Sequence, residues 1–268
     1  MAHPDPRAVL AGYRRARAER DAWESLWRDA VDHTLPQRDH MAGGASPGGR
    51  KGERLFDATA GDAAEQLAAS LLAQLTPPWS RWFGLTPGAE VPEGEQAALG
   101  DVLETAEAVL QGQLDRSNFA VEIHQCYLDL VVYGTACLQF EEAPLAAASA
   151  FRFTAVPLHE VVLAEGPDGN LDVTYRRSEV TARQLARRFG ADVLPQGIAD
   201  TLGRDTADER RYALIEAVLP DGAAYDYVAL LEEPDGTDGP PVLAEGRFAQ
   251  SPFITFRWMK APGEVYGR

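Results

Sequence analysis

The sequence predicts an α+β fold, and three observations carry that prediction. Apolar residues recur at helical spacing through the first half of the chain and at alternating spacing through the second. Prolines and glycines punctuate the first half where helices would start and stop. Short apolar runs in the second half are divided by turn-forming clusters such as Gly166-Pro167-Asp168-Gly169-Asn170. The change of period falls at Gly134. Residues 1–134 are therefore expected to form a helical region and residues 135–268 a β-rich region with one short inserted helix.

The first helix opens with Asp5 as cap and Pro6 at the first helical position, and Leu35-Pro36 closes it. Leu10, Tyr13, Trp23, Leu26, Trp27 and Val31 form its apolar stripe, while Arg14, Arg15, Arg17 and Arg20 crowd its first half. Trp23 and Trp27 lie four apart on one face. Each ring can bury about 150–250 Å², or about 4–6 kcal/mol gross, so packing is their expected role. Residues 41–52, rich in glycine and without apolar anchors, read as a mobile loop.

A second helix is expected from about Asp57 to Leu75, rich in alanine and stopped by Pro77-Pro78. Trp79, Trp82, Phe83 and Leu85 follow as an aromatic knot, with Trp82 and Phe83 folding back against the alanine-rich helix. A third helix is expected over about 93–116. A fourth starts near Asn118 and ends at Gly134. Strands are expected at 136–141, 150–156, 161–165, 171–177, 211–219, 224–232, 242–248 and 252–259. Between them, Thr181 and Gln184 have capping-box spacing and Gly190 supplies the stop of a short helix.

The net charge of −16 weighs against a nucleic-acid-gripping protein. Such proteins meet phosphates with Lys and Arg and release counterions. A chain this acidic repels a polyanion over about one Debye length, roughly 8 Å at physiological salt. Acidity also keeps a protein soluble. Only Cys126 and Cys137 are present, which implies no disulfide framework and fits a reducing compartment. No run approaches the roughly 18 apolar residues that span a bilayer, and the segment from His3 to Arg7 lacks a signal-peptide core. The chain reads as cytosolic at synthesis.

The search for chemistry yields no catalytic, cofactor-binding or metal-ligating residues. Gly44 to Lys51 superficially resembles a phosphate loop, but Arg50 stands where Lys is required and no Ser or Thr follows. There is no G-x-S-x-G elbow, no H-E-x-x-H pair and no C-x-x-C. Asp32, His33, Asp39 and His40 are separated by a helix end, and His159-Glu160 follows Pro157 as an ordinary polar pair in a turn. Cys126 beside Tyr127 reads as a small core residue.

Three further stretches stand out. The first is Leu55-Phe56-Asp57-Ala58-Thr59-Ala60, followed by Leu67-Ala68-Ala69, Leu75-Thr76-Pro77-Pro78, Trp82-Phe83 and Leu85. The second is Ser117-Asn118-Phe119, opening a helix that ends Tyr133-Gly134-Thr135-Ala136. The third is Ser251-Pro252-Phe253, Arg257-Trp258 and Gly263-Glu264-Val265-Tyr266-Gly267-Arg268. As an ordered set they resemble the podovirus-type head-to-tail connector, or portal, family of tailed bacteriophages. The resemblance implies a wing-like α+β fold and a structural, non-enzymatic subunit of a ring, twelve-fold by resemblance. That ring would sit at the capsid portal vertex of a short-tailed virion, after assembly in the host cytoplasm, and phage DNA would be packaged and ejected through it. The implied partners are further copies of the chain, the terminase motor, the major capsid and scaffold proteins, a tail adaptor, and duplex DNA passing without sequence-specific binding. No membrane partner and no cofactor are implied. Family members continue past G-E-x-Y-G-R into helical sequence, so this chain is expected to be the N-terminal portion, truncated before the stem helix.

Charge agrees with the resemblance, because an acidic wall lets duplex slide. The arginines from Arg14 to Arg20 and at Arg183, Arg187 and Arg188 then read either as solvated helix faces or as partners for acidic faces of the next subunit. Two alternatives stand beside this reading: another head–tail component such as a tail adaptor, or an enzyme whose site gathers Glu122, His124 and Asp129 with an unseen partner.

Overall fold

The computed structural model describes residues 4–36, 57–166, 169–204, 209–232 and 239–268. The loop expected at 41–52, the phosphate-loop look-alike, and Asp39 and His40 lie outside the described residues. The fold is α+β and, among the described residues, four long helices come first and antiparallel sheets after them.

Helix α1, Pro6–His33, is capped by the Asp5 carboxylate, which accepts from the Arg7 amide at 3.1 Å. Helix α2, Thr59–Leu75, is preceded by Asp57, whose Oδ1 accepts from the Thr59 amide at 2.9 Å. Helices α3, Glu93–Arg116, and α4, Phe119–Tyr133, follow. Gly134 closes α4 in the left-handed conformation, with φ of 72° and its amide on the Leu130 carbonyl at 2.9 Å.

The strands are β1, Thr135–Glu142; β2, Phe151–Ala155; β3, Val161–Ala164; β4, Val173–Thr181; β5, Arg211–Asp221; β6, Ala224–Leu231; β7, Val242–Phe248; and β8, Phe253–Arg257. They form two antiparallel sheets, in the orders β2-β1-β8 and β3-β4-β5-β6-β7. Between β4 and β5 lie α5, Ala182–Phe189, and a short α6, Gln196–Ala199, which the sequence pattern did not announce. The capping box at α5 is complete: Thr181 Oγ1 accepts from the Gln184 amide and Gln184 Oε1 from the Thr181 amide.

Four clusters of buried side chains join these layers. The first half of α1 lies on the five-stranded sheet through Val9, Leu10 and Tyr13, packed with Tyr175, Ile215 and Val228. Its second half enters a central cluster through Trp27 and Val31, together with Tyr133, Cys137, Phe253 and Tyr266. Helices α2 and α4 cover the three-stranded sheet through Ala64, Ala68, Ile123 and Cys126 against Leu138 and Phe153. Helix α5 packs through Leu185 on Leu214 and Leu231. No helix among the described residues is long and apolar enough to cross a membrane.

The aromatic knot after α2 differs from expectation. Trp79 is 71% exposed and belongs to no core. Trp82 is half-buried and stacks on Phe119 at the start of α4, with centroids 5.7 Å apart and planes at 12°. The hydrogen bond between Thr76 Oγ1 and the Tyr127 hydroxyl, 3.1 Å, ties the end of α2 to α4 and directs the following chain there.

Candidate assembly site around residues 257–268

The second and third of the sequence stretches, far apart in the chain, converge on one clasp. Gly134 and Gly267 meet backbone to backbone. A Cβ added at Gly267 would sit 2.3 Å from the Gly134 carbonyl oxygen and 2.8 Å from the Arg257 Cβ; one added at Gly134 would sit 2.5 Å from the Gly267 carbonyl oxygen. Only glycine permits this crossing. Hydrogen bonds fasten it: the Gly267 amide donates to Thr135 Oγ1 at 2.8 Å, the Trp258 amide to the Gly134 carbonyl at 2.9 Å, and the Arg268 amide to the Met259 carbonyl at 3.1 Å.

Tyr266 plugs the space beneath. It is 1% exposed, its ring lies 5.0 Å from Trp27 edge-to-face and 6.0 Å from Trp23, and its hydroxyl accepts from the Leu163 amide at 3.0 Å. Burial pushes its phenol up to about 12, so it is a neutral structural group. Arg257 holds the returning segment, donating to Glu165 Oε1 at 3.0 Å and to the Val265 carbonyl at 2.8 Å. Lys260 lies 2.7 Å from the same Glu165 oxygen. Hydrogen bonds from Lys260 and Arg257 hold the Glu165 carboxyl below the usual range. Arg268 lies over the Trp23 ring at 5.6 Å and pairs with Glu264.

Two grooves flank the segment from Gly263 to Arg268. One, of about 480 Å³, is lined by Glu19, Ala22, Trp23, Val265 and Arg268. The other, of about 640 Å³, is lined by Leu67, Val131, Trp258, Met259 and Arg268; Leu26 borders both.

Two arginines have roles that the sequence reading missed. Arg20 is 2% exposed, and its Nη1 donates to the carbonyls of Leu158, His159 and Val161 at 3.2, 3.0 and 2.6 Å. Its Nη2 meets Glu24 at 2.7 Å. Burial opposes ionisation of Glu24, but the Arg20 hydrogen bond and the surrounding arginine charges win and hold its carboxyl low. Arg188 turns inward from α5 onto Glu216, which is 1% exposed and also accepts from the Tyr227 hydroxyl at 2.8 Å. Arg20 is thus no solvated helix face, whereas Arg188 stays partly exposed while its guanidinium reaches the buried carboxylate. A charged residue among alanines carries no sign in one sequence of which carbonyls the fold will bring to it. Arg17 and Arg28 do lie at the surface, pairing with Glu24.

Glu122, His124 and Asp129 of the alternative constellation all lie on α4. Glu122 Oε2 accepts from the Ala155 amide at 2.7 Å, serving the edge of β2, while Asp129 is buried further along α4. Cys126 is fully buried and donates to the Cys137 carbonyl at 3.6 Å; burial pushes the Cys137 thiol up to about 12. Among the described residues no three His, Cys, Asp or Glu side chains are grouped to hold a metal.

Comparison with known proteins gives this geometry a context. The chain is similar to a probable portal protein of Bordetella phage BPP-1, at 26% identity over 276 residues, covering 97% of this chain and 47% of that protein. It thus spans about half the length of the curated relative it matches. The family of bacteriophage head to tail connecting proteins matches residues 7–268, which takes in α1, the Gly134 turn and the whole clasp, and the chain belongs to that family.

Proposed function

We propose that this chain is part of a portal, a structural ring subunit at the capsid vertex through which phage DNA enters and leaves. The observation that carries the reading is the clasp. Two of the motif stretches typical of the family are spent on holding backbones together: two glycines in contact, a neutral buried tyrosine, and arginines whose donors go to carbonyls and carboxylates. This is the chemistry of a rigid part, and family membership supports the same role. The net charge of −16 favours passage of duplex over adhesion to it.

Ring closure, a non-enzymatic role, and partnership with a packaging motor, capsid, scaffold and tail components belong to the same proposal. So does residence in the virion after assembly in the host cytoplasm. The division into a helical region, 1–134, and a β-rich region, 135–268, is also proposed. Its support is that α4 ends at Tyr133 and every described strand follows.

Native mass spectrometry and negative-stain microscopy of the purified chain at rising concentration, with duplex-binding titrations at physiological salt, test the reading. Concentration-dependent closed assemblies and no micromolar duplex binding are expected. A chain that stays monomeric while binding duplex at micromolar concentration would overturn it.

A further inference from the structure

Helix α3 is the least covered of the long helices among the described residues. Its 24 residues span about 36 Å, yet Gln111 is its only buried residue. It is anchored near its C-terminal end: Glu107 accepts from the Leu85 amide, Gln113 from Ser149 and the Ala150 amide, and Leu114 packs beside the α4 core. The outward face carries Ala98, Val102, Thr105 and Val109 at i, i+4, i+7 and i+11, a continuous stripe on an α-helix. Val102 is 62% exposed and Val109 57% exposed. Glu95 and Asp101 flank this stripe on its two sides; both are exposed and form no ion pair among the described residues.

The first half of α1 presents a matching face. Ala11, Ala18 and Ala22 form an exposed stripe at i, i+7 and i+11, and Arg14 and Arg15 flank it on its two sides. Other arginines of this helix are engaged, Arg17 with Asp21 and Glu24, and Arg20 with Glu24. Arg14 and Arg15 are exposed and form no ion pair among the described residues. In a chain of net charge −16, adjacent unpaired arginines beside a strip of alanines make a distinctive surface.

We infer that the outer face of α3 docks on the N-terminal half of α1 of a second copy of this chain. The inference rests on the reading that copies of the chain assemble. The valines of one helix fit the alanine strip of the other, where short side chains let the helices approach closely. The flanking anions then face the flanking cations, as charges do beside an apolar helix seam. Within one copy the two faces serve different places. The first half of α1 lies on the five-stranded sheet, while α3 is held beside α4 and the segment before β2. Each copy therefore offers α3 to one neighbour and α1 to the other. Such a contact between unlike patches is heterologous, and it closes into a ring when the rotation per copy allows.

Two charge-reversal variants of the whole chain test this: Arg14→Glu/Arg15→Glu, and Glu95→Lys/Asp101→Lys. By sedimentation equilibrium each alone should self-associate at least roughly tenfold more weakly than the unaltered chain, because like charges then face each other. An equimolar mixture of the two should regain association, since acidic α1 meets basic α3 and the reverse pairing is the native one. Cysteine placement gives a second readout, clear of the buried Cys126 and Cys137. Ala18→Cys mixed with Val102→Cys should form a disulfide-linked dimer under mild oxidation, whereas neither variant alone should. If the unaltered chain associates and both charge variants associate equally well, with no mixed disulfide, the docking faces are wrong and ring assembly stands. If the unaltered chain does not associate and the two cysteine variants together give no mixed disulfide up to about 1 mM, both the docking and the assembly reading fall.

Discussion

Gly267→Ala is the sharpest test of the clasp, because it adds one carbon at a position where the neighbours are two backbone carbonyls and a Cβ fixed to the backbone. The new Cβ would lie 2.3 Å from the Gly134 carbonyl oxygen, 2.8 Å from the Arg257 Cβ and 3.1 Å from the Met259 carbonyl oxygen. The first contact is roughly 1 Å short of ordinary van der Waals distance, and no flexible side-chain end is there to yield. Relief requires the segment to lift, which stretches the Gly267–Thr135 hydrogen bond and draws Tyr266 from its seat against Trp27. Overpacking of this kind costs about 1–3 kcal/mol, and a lost buried hydrogen bond about 1 kcal/mol more. The expected loss is therefore about 2–4 kcal/mol. Urea denaturation followed by tryptophan fluorescence reads it directly, since Trp23 and Trp27 line the Tyr266 pocket. Gly100→Ala, a helical position with nothing within 4 Å of the added carbon, is the control. It should stabilise by up to about 1 kcal/mol, through helix propensity alone. Gly267→Ala within about 0.5 kcal/mol of the unaltered protein would refute the steric reasoning.

Arg20→Met keeps the apolar stem but removes the donors to three carbonyls and to Glu24, and should cost about 3–5 kcal/mol in a thermal melt. Arg188→Ala strands the buried Glu216 carboxylate. The expected cost is about 2–4 kcal/mol, less than for a fully enclosed pair because Arg188 is 40% exposed, and Arg187→Ala on the same helix should stay within about 0.5 kcal/mol. Glu24 has a carboxyl held below its unfolded range, so its contribution is fully present above about pH 4.3 and is lost as pH falls through the lower folded value. Glu24→Gln should therefore destabilise at pH 7, and the gap between the two denaturation midpoints should narrow as the pH is taken below 4; a gap independent of pH would contradict the assignment.

Much of the local structure was legible because its causes are local. Asp5-Pro6, the Thr181–Gln184 box and Gly134 each start or end a helix through groups only a few residues apart, and each does so in the fold. Short apolar runs between turn signals marked the described strands; some alternate as a half-buried strand does, while others, such as Val161–Ala164, are buried on successive residues. The tertiary structure decided which strands share a sheet. The strand Phe253–Arg257 leaves its neighbour Val242–Phe248 to pair with Thr135–Glu142, a choice that depends on core shape and not on local pattern. It also extended the strand at Val173 to Thr181, because Arg211–Asp221 pairs along its whole length.

For the candidate site, the motif residues were visible in the sequence but their purpose was not. Tyr133-Gly134-Thr135 and Tyr266-Gly267-Arg268 read as two separate signatures; the fold makes them the halves of one contact. Arg14 and Arg20 illustrate the same limit in one helix. Both read as charges on a helix face, yet one is exposed and the other lies beneath three carbonyls. Net charge, fold class and helix ends follow from the residues by themselves, because composition and near neighbours are enough to cause them. Which arginine is buried, and which glycines must touch, depends on groups brought together from more than a hundred residues away, and only the folded chain supplies that proximity.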